Sequence, residues 1–298
     1  MANLATMLDV DRFPTIFDRL TSHLPIKDIV ALTRTCRKLK LLYQKMVNRG
    51  AWDIDSRLRK FVKDPLGFRE RLTELEGIIS GSFALQFVDR VDWEGSDLDV
   101  CVQLGEKADA FCRYIEEVEG YDLASRTVAK YAWTHVDMVH AYDKVVDGEF
   151  IRLEIILTHN HPIHATLSTY TTALVNVITG NHAYCVFPNA TFMKRQTYPT
   201  RIPDYFNGVI LTQKYKDRGW GFIQRIPKQK WVTGELDLGC RWIGDKHTWK
   251  MALSPMSDEA ADSAEGAVQG LKFEMKKCQD HYDGVELEWL GVAAKQGH

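Results

Sequence analysis

Two short elements hold the residues whose types and spacing could do chemistry. The first is Ile79-Ser80-Gly81-Ser82; the second, after a short apolar stretch, is Ser96-Asp97-Leu98-Asp99-Val100. A Gly-Ser pair at a strand-to-helix turn can hold a triphosphate. Gly81 lets the backbone approach a phosphate with no Cβ in the way, the following helix start directs N–H groups at it, and Ser82 adds a hydroxyl. Asp97 and Asp99, two positions apart on a strand, point to the same side and can ligate Mg2+ or Mn2+, hard cations that prefer oxygen. Burying two such carboxylates without a cation or basic partner would be costly, although exposure to water would remove that cost. A phosphate grip and a cation site in this order suggest nucleotidyl transfer, in which a nucleoside monophosphate passes from an NTP to an acceptor.

The elements that must position these residues form a mixed α/β pattern from about residue 77. Ile78 and Ile79 make a short strand, and Phe83, Ala84, Phe87 and Val88 a short apolar helix. Residues 97–104 alternate strictly, with Leu98, Val100, Val102 and Leu104 on one face and Asp97, Asp99, Cys101 and Gln103 on the other. An amphipathic helix follows through Ala108, Phe111, Cys112, Ile115 and Val118, with Gly120 as its stop. Asp147-Gly148 between two runs of β formers, 136–146 and 150–158, predicts a hairpin. Beyond Pro162 the pattern predicts a helical pair through Leu167, Leu174, Val175 and Ile178. Strands are expected at 222–232, 241–253 and 285–290, and a polar loop at 254–270.

The N-terminal part reads as short helices, with Phe13, Ile16, Phe17, Leu20 and Leu24, then Ile29, Leu32, Cys36, Leu39 and Leu42, at helical spacing. Leu24-Pro25, Asp28 and Cys36-Arg37-Lys38-Leu39 in this stretch resemble an F-box. That resemblance implies docking on the adaptor subunit of a cullin–RING ubiquitin ligase; the same apolar stripe would equally serve a small bundle packed on its own chain. No Gly/Ser linker follows, and further helices are expected around Trp52–Phe61 and Phe68–Leu72.

Ile79-Ser80-Gly81-Ser82 and Ser96-Asp97-Leu98-Asp99-Val100 resemble the motif of the nucleotidyltransferase superfamily with a DNA polymerase β-like core, with a gap at the long end of what that family tolerates. The chain is more closely similar to fungal F-box proteins with a nucleotidyltransferase-like domain, through 80–87, Ser96-Asp97-Leu98-Asp99 and 183–192, over a stretch from the F-box to about residue 250. The resemblance implies an α+β fold in three parts: an F-box-like helical segment at 1–50, a mixed-sheet nucleotidyltransferase-like core at 51–200, and a β-containing extension at 201–298. It also implies a third carboxylate on a neighbouring strand. Glu154 is the best position, as acceptor base or further ligand, where the family usually has Asp; an ordinary surface glutamate is the other reading. Asp137 is a weaker choice, and a missing third acid would favour a nucleotide-binding pseudoenzyme.

Other groups carry less. His159, His161 and His164 would suit zinc, but in a loop with no paired cysteines they read first as solvent-facing. Lys194 and Arg195 read as surface charge before phosphate contacts, and Trp220, Phe222, Trp231, Trp242 and Trp249 as core before a base-stacking surface. The 298 residues are 45% hydrophobic with a formal charge of −2, which excludes wholesale disorder and a strongly basic nucleic-acid clamp. Near-neutral charge slightly favours a protein or small-molecule acceptor over long RNA or DNA. Six scattered cysteines without a C-x-x-C pair point to free thiols. With no signal peptide and no apolar run of membrane-spanning length, an intracellular protein, cytoplasmic or nuclear, is expected. The rival reading is a ubiquitin-ligase substrate receptor whose catalytic fold only recognises a target.

Overall fold

The computed structural model of the chain describes residues 4–128, 135–200, 205–223, 236, 238–256, 268–277 and 285–292. Helices come first: α1 (Leu4–Met7), α2 (Pro14–Ser22), α3 (Ile26–Thr33), a 3-10 turn (Arg37–Leu39), α4 (Leu42–Asn48), α5 (Ile54–Leu58) and α6 (Pro65–Glu74). Pro14 and Pro65 each open a helix, where the missing N–H costs nothing, and Asp53 and Asp64 cap α5 and α6 through Ser56 and Gly67. Much of the apolar stripe of this region is spent inside the chain, although Ile16 and Cys36 are exposed. Phe17, Ile26, Ile29, Leu39, Leu42 and Met46 are buried in one cluster with Ile79, Val100 and Leu153 of the sheet.

The mixed region follows: β1 (Ile78–Ser80), α7 (Gly81–Asp89), β2 (Leu98–Gln103), α8 (Glu106–Glu117), β3 (Asp122–Val128), β4 (Val136–Val146) and β5 (Glu149–Thr158). Then come α9 (Ile163–Leu167), a 3-10 turn (Thr172–Leu174), β6 (Asn176–Ile178), β7 (His182–Cys185), a π turn (Asn189–Met193) and β8 (Gln196–Thr197). The last elements are α10 (Tyr205–Asp217), β9 (Gly221–Phe222), β10 (Gly239–Trp242), β11 (Trp249–Ala252), β12 (Leu271–Lys277) and β13 (Val285–Val292). Eight strands form one sheet in the order β11-β7-β6-β1-β2-β5-β4-β3, while β10-β12-β13 and β8-β9 make smaller sheets. Only β2 and β5 are parallel in the large sheet, so the fold is α+β. Strand alternation sorts the core into two clusters. Ile79, Val100 and Ile155 face the helices, whereas Ile78, Cys101 and Ile156 join Phe273 and Met275 of the small sheet.

Several expectations are corrected. The helical pair beyond Pro162 is one short helix, a single 3-10 turn and the strand β6, because Val177 and Ile178 pair with β7 and β1 instead of continuing a helix. The strand expected at 241–253 is two strands, β10 and β11, split by a turn in which Asp245 accepts from the His247 N–H and the Thr248 hydroxyl. Most of the strand expected at 222–232 and of the loop expected at 254–270 lies outside the described residues, as does Trp231. Among the described residues no helix is long and apolar enough to cross a membrane.

Candidate active site

β1 ends at Ser80, and the chain turns into α7 at Gly81 with φ +65°. Register then builds a row across three strands. Ser80 lies opposite Asp99, and Asp99 lies beside Glu154 in the parallel β2–β5 pair. Leu98, Val100, Leu153 and Ile155 fill the core on the other face, so burial of those four residues fixes the carboxylates on this one. Asp99 sits hard against the turn. A Cβ added to Gly81 would lie 1.9 Å from its Oδ2 atom, so only glycine fits, for space as well as for φ. The Ser82 amide N–H donates to the Asp99 carboxylate, which thereby occupies the anion position at the start of α7.

The charges here are poorly compensated. Burial first, then Glu154 and Asp97, push Asp99 up to about 8, against the opposing pull of Lys214 and the Ser82 N–H. Burial and Asp97 raise Glu154, and burial raises Asp97 against Arg152 and Lys214. Arg152 is already committed, with Nε and Nη2 each 2.8 Å from the Asp143 carboxylate. Among the described residues Lys214 of α10, exposed at the surface, is thus the cation left facing the acids, and sequence reading missed it. Its only signal was a lysine in a segment with no clear apolar stripe. Next to it Tyr215 is buried, its phenol raised by burial and in part by Asp99.

The loop carrying Asp97 is tied to α7 by Gln86, also missed. Its amide donates to the Ser96 hydroxyl (2.9 Å) and the Ser82 carbonyl (3.1 Å) and accepts from the Trp93 N–H (2.6 Å). Trp93 meets Tyr215 and Trp220 edge-on, and the Arg218 guanidinium lies 3.9 Å from its ring centre. Trp220 is buried, with its indole N–H on the Thr191 carbonyl, and Trp249 stacks on Phe192; Trp242 is half exposed.

Other expected groups lie elsewhere. Asp137 sits 3.4 Å from His159, away from the Asp97–Asp99–Glu154 group. His164 is buried against His135 with ring centres 4.4 Å apart, and burial with His135 and His161 depresses it to about 4; the solvent-facing reading fails for it because Ile163 and Leu167 pull its helix inward. Arg195 is no loose surface charge: it pairs with buried Asp89 at 2.6 Å and covers Trp220. Among the described residues no set of three or more His, Cys, Asp or Glu side chains is arranged to hold a metal ion. Asp97 and Asp99 could supply two carboxylates to a cation that takes its other oxygens from phosphates and water.

No family model and no curated protein matches the chain. Among solved structures it is similar to an apo form of a CCA-adding enzyme, at 14% identity and a TM-score of 0.38, over 57% of this chain and 42% of that one. The chain thus spans less than half the length of that neighbour.

Proposed function

We propose that this chain is a nucleotidyltransferase that moves a nucleoside monophosphate from an NTP to an acceptor hydroxyl or phosphate. The observation that carries this reading is the row Ser80–Asp99–Glu154 beside the Gly81 turn, with Asp99 against the start of α7. Asp97 and Asp99 would hold Mg2+ or Mn2+, and the fit lies in the donor set: hard oxygens, with Asp99 raised to about 8 by burial first and then by Glu154 and Asp97, so that a bound cation would favour its ionised form. The bound cation would neutralise phosphate charge and favour ionisation of an incoming hydroxyl. Gly81 and Ser82 would take a phosphate oxygen on the α7 amides, a position the Asp99 carboxylate holds here, so nucleotide entry requires that carboxylate to turn away from Ser82. Glu154, raised above the ordinary carboxylate range, would accept the acceptor's proton, and Lys214 would face the phosphates.

The N-terminal helices spend Phe17, Ile26, Ile29, Leu42 and Met46 on the chain's own core, which supports a structural role for them over docking on a ligase adaptor. Calorimetric titration of the four ribonucleoside triphosphates with magnesium, into the wild type and a folded Asp97→Asn, Asp99→Asn double variant, tests the reading. Magnesium-dependent binding lost in the double variant is expected. No binding to the wild type, or equal binding to both, overturns it.

A further inference from the structure

A cavity of about 510 Å3 lies where α3 and α4 meet β7, β11 and the π turn, and neither Asp97, Asp99 nor Glu154 lines it. Its volume is inside the range of about 300–1,000 Å3 usual for small-molecule sites. The apolar surface it offers comes from lining side chains that are only half-buried: Val30, Tyr43, Met193 and Trp249. Tyr43 is held against Trp52 with ring centres 5.2 Å apart, and Trp249 against Phe192 at 5.9 Å, so both rings are fixed by the fold itself. Met193, unbranched and polarisable, can adapt to what lies beside it.

The charge of the lining has one sign. Arg34 and Lys250 are exposed there, and no aspartate or glutamate lines the cavity. Arg34 makes no ion pair among the described residues. The Tyr43 hydroxyl has no hydrogen-bond partner among them either, and burial raises its pKa, so it keeps its proton and can donate it. Thr33 and Thr248 already spend their hydroxyl protons, on the Val30 carbonyl (2.7 Å) and the Asp245 carboxylate (2.9 Å), and Asp245 is itself paired with Arg241 at 2.7 Å. A ligand therefore meets apolar surface, two cations and a phenol donor. That set complements an apolar body ending in a carboxylate, which a guanidinium can hold at two points; a cationic head would be repelled.

We propose that this cavity binds a small monocarboxylic acid with an apolar body, the body against Val30, Tyr43, Met193 and Trp249 and the carboxylate on Arg34 and Lys250. The test is calorimetric titration of the full chain in EDTA with decanoate, with decylamine, which has the same tail and the opposite charge, and with acetate, which has the head alone. Decanoate is expected to bind with Kd below about 1 mM, and decylamine and acetate at least about tenfold more weakly. Arg34→Glu, at an exposed position, should weaken decanoate about fivefold. Val30→Trp, which fills the space from a half-buried position, should weaken it at least about tenfold, with the urea midpoint measured on the same protein; Thr33→Trp, one turn on, replaces it if that variant does not fold. No decanoate binding to the wild type, decylamine or acetate binding as tightly, or wild-type affinity in Arg34→Glu or in the folded filling variant overturns the assignment. The Asp97→Asn, Asp99→Asn double variant should bind decanoate as the wild type does; loss there would put the ligand at the carboxylate row and overturn it too. Because no divalent ion or nucleotide is present, these outcomes are distinct from failure of magnesium-dependent NTP binding.

Discussion

Replacing Gly81 with Ala tests the closest contact in the candidate site. The added methyl would lie 1.9 Å from Asp99 Oδ2 and 2.9 Å from its Cγ, whereas ordinary contact begins near 3.4 Å. The carboxylate must therefore recede by about 1.5 Å, which breaks its hydrogen bond from the Ser82 N–H. Losing that bond costs about 0.5–1.5 kcal/mol. Holding alanine at a φ of +65° adds roughly 1–2 kcal/mol of backbone strain. Together they predict a loss of about 1.5–3.5 kcal/mol, read as a lower urea midpoint at constant slope in EDTA at neutral pH. The two parts separate in a double-mutant cycle. In an Asp99→Ala background the methyl has no carboxylate to displace, so only the backbone part should remain, with a coupling energy of about 1 kcal/mol. An equal cost of Gly81→Ala in both backgrounds would refute the contact, and a total cost under about 0.5 kcal/mol would refute the strain as well.

Two further outcomes follow from the same geometry. The folded-state pKa of Asp99, about 8, lies above its unfolded value of 3.8, so the folded chain binds this proton more tightly. Its contribution is complete below pH 3.8 and is lost as pH rises to 8, at up to about 1.4 kcal/mol per pH unit. In EDTA, Asp99→Asn should remove that part of the slope in a urea series from pH 5 to pH 9; identical slopes would count against a desolvated Asp99. Arg69, 1% exposed, donates to the Gly180 carbonyl (2.9 Å), Asp55 (2.8 Å) and the Ser254 carbonyl (2.5 Å). Arg69→Ala should cost about 3–5 kcal/mol by urea unfolding, with Arg69→Lys recovering little of it because an ammonium cannot span the fork; full recovery by lysine would show that charge alone matters.

The legible parts of the fold were those whose signal is local. Strict alternation over Leu98–Gln103 and the Asp147-Gly148 turn gave β2 and the β4–β5 hairpin with the faces within each strand. The side-by-side placement of Asp99 and Glu154 comes from the parallel β2–β5 pairing, which alternation within a strand does not carry. Elements defined by distant partners were not legible. Asn176–Ile178 is three residues long and becomes a strand only because β1 and β7 flank it. Asp122–Val128 is a sheet edge with every residue exposed, so no alternation marks it. Tyr205–Asp217 has apolar residues without a clear stripe, and with it Lys214 went unseen. Arg69 and Gln86 act through carbonyls and hydroxyls remote in sequence, for which composition and spacing carry no sign.

The helix α7 joins the two ends of this reading. Its N-terminus meets Asp99, and its C-terminus closes on Arg90, held at φ +56°. Arg90 donates to the carbonyls of Thr21 and Leu24, the last turn of α2 and the residue before Pro25, while its guanidinium covers Trp52 at 5.1 Å. Trp52 in turn donates from its indole N–H to the Val88 carbonyl at 3.0 Å. One nine-residue helix is therefore gripped at its far end by the N-terminal segment and at its near end by the Asp99 carboxylate. Charging the apolar stripe of α2 or α3 would loosen that far grip as well as any docking face. Loss of an adaptor interaction in such a variant is consequently informative only when NTP binding and the urea midpoint are measured on the same protein. The Leu-Pro element that gives the N-terminus its F-box look is, through Arg90, also part of what positions the Gly81 turn.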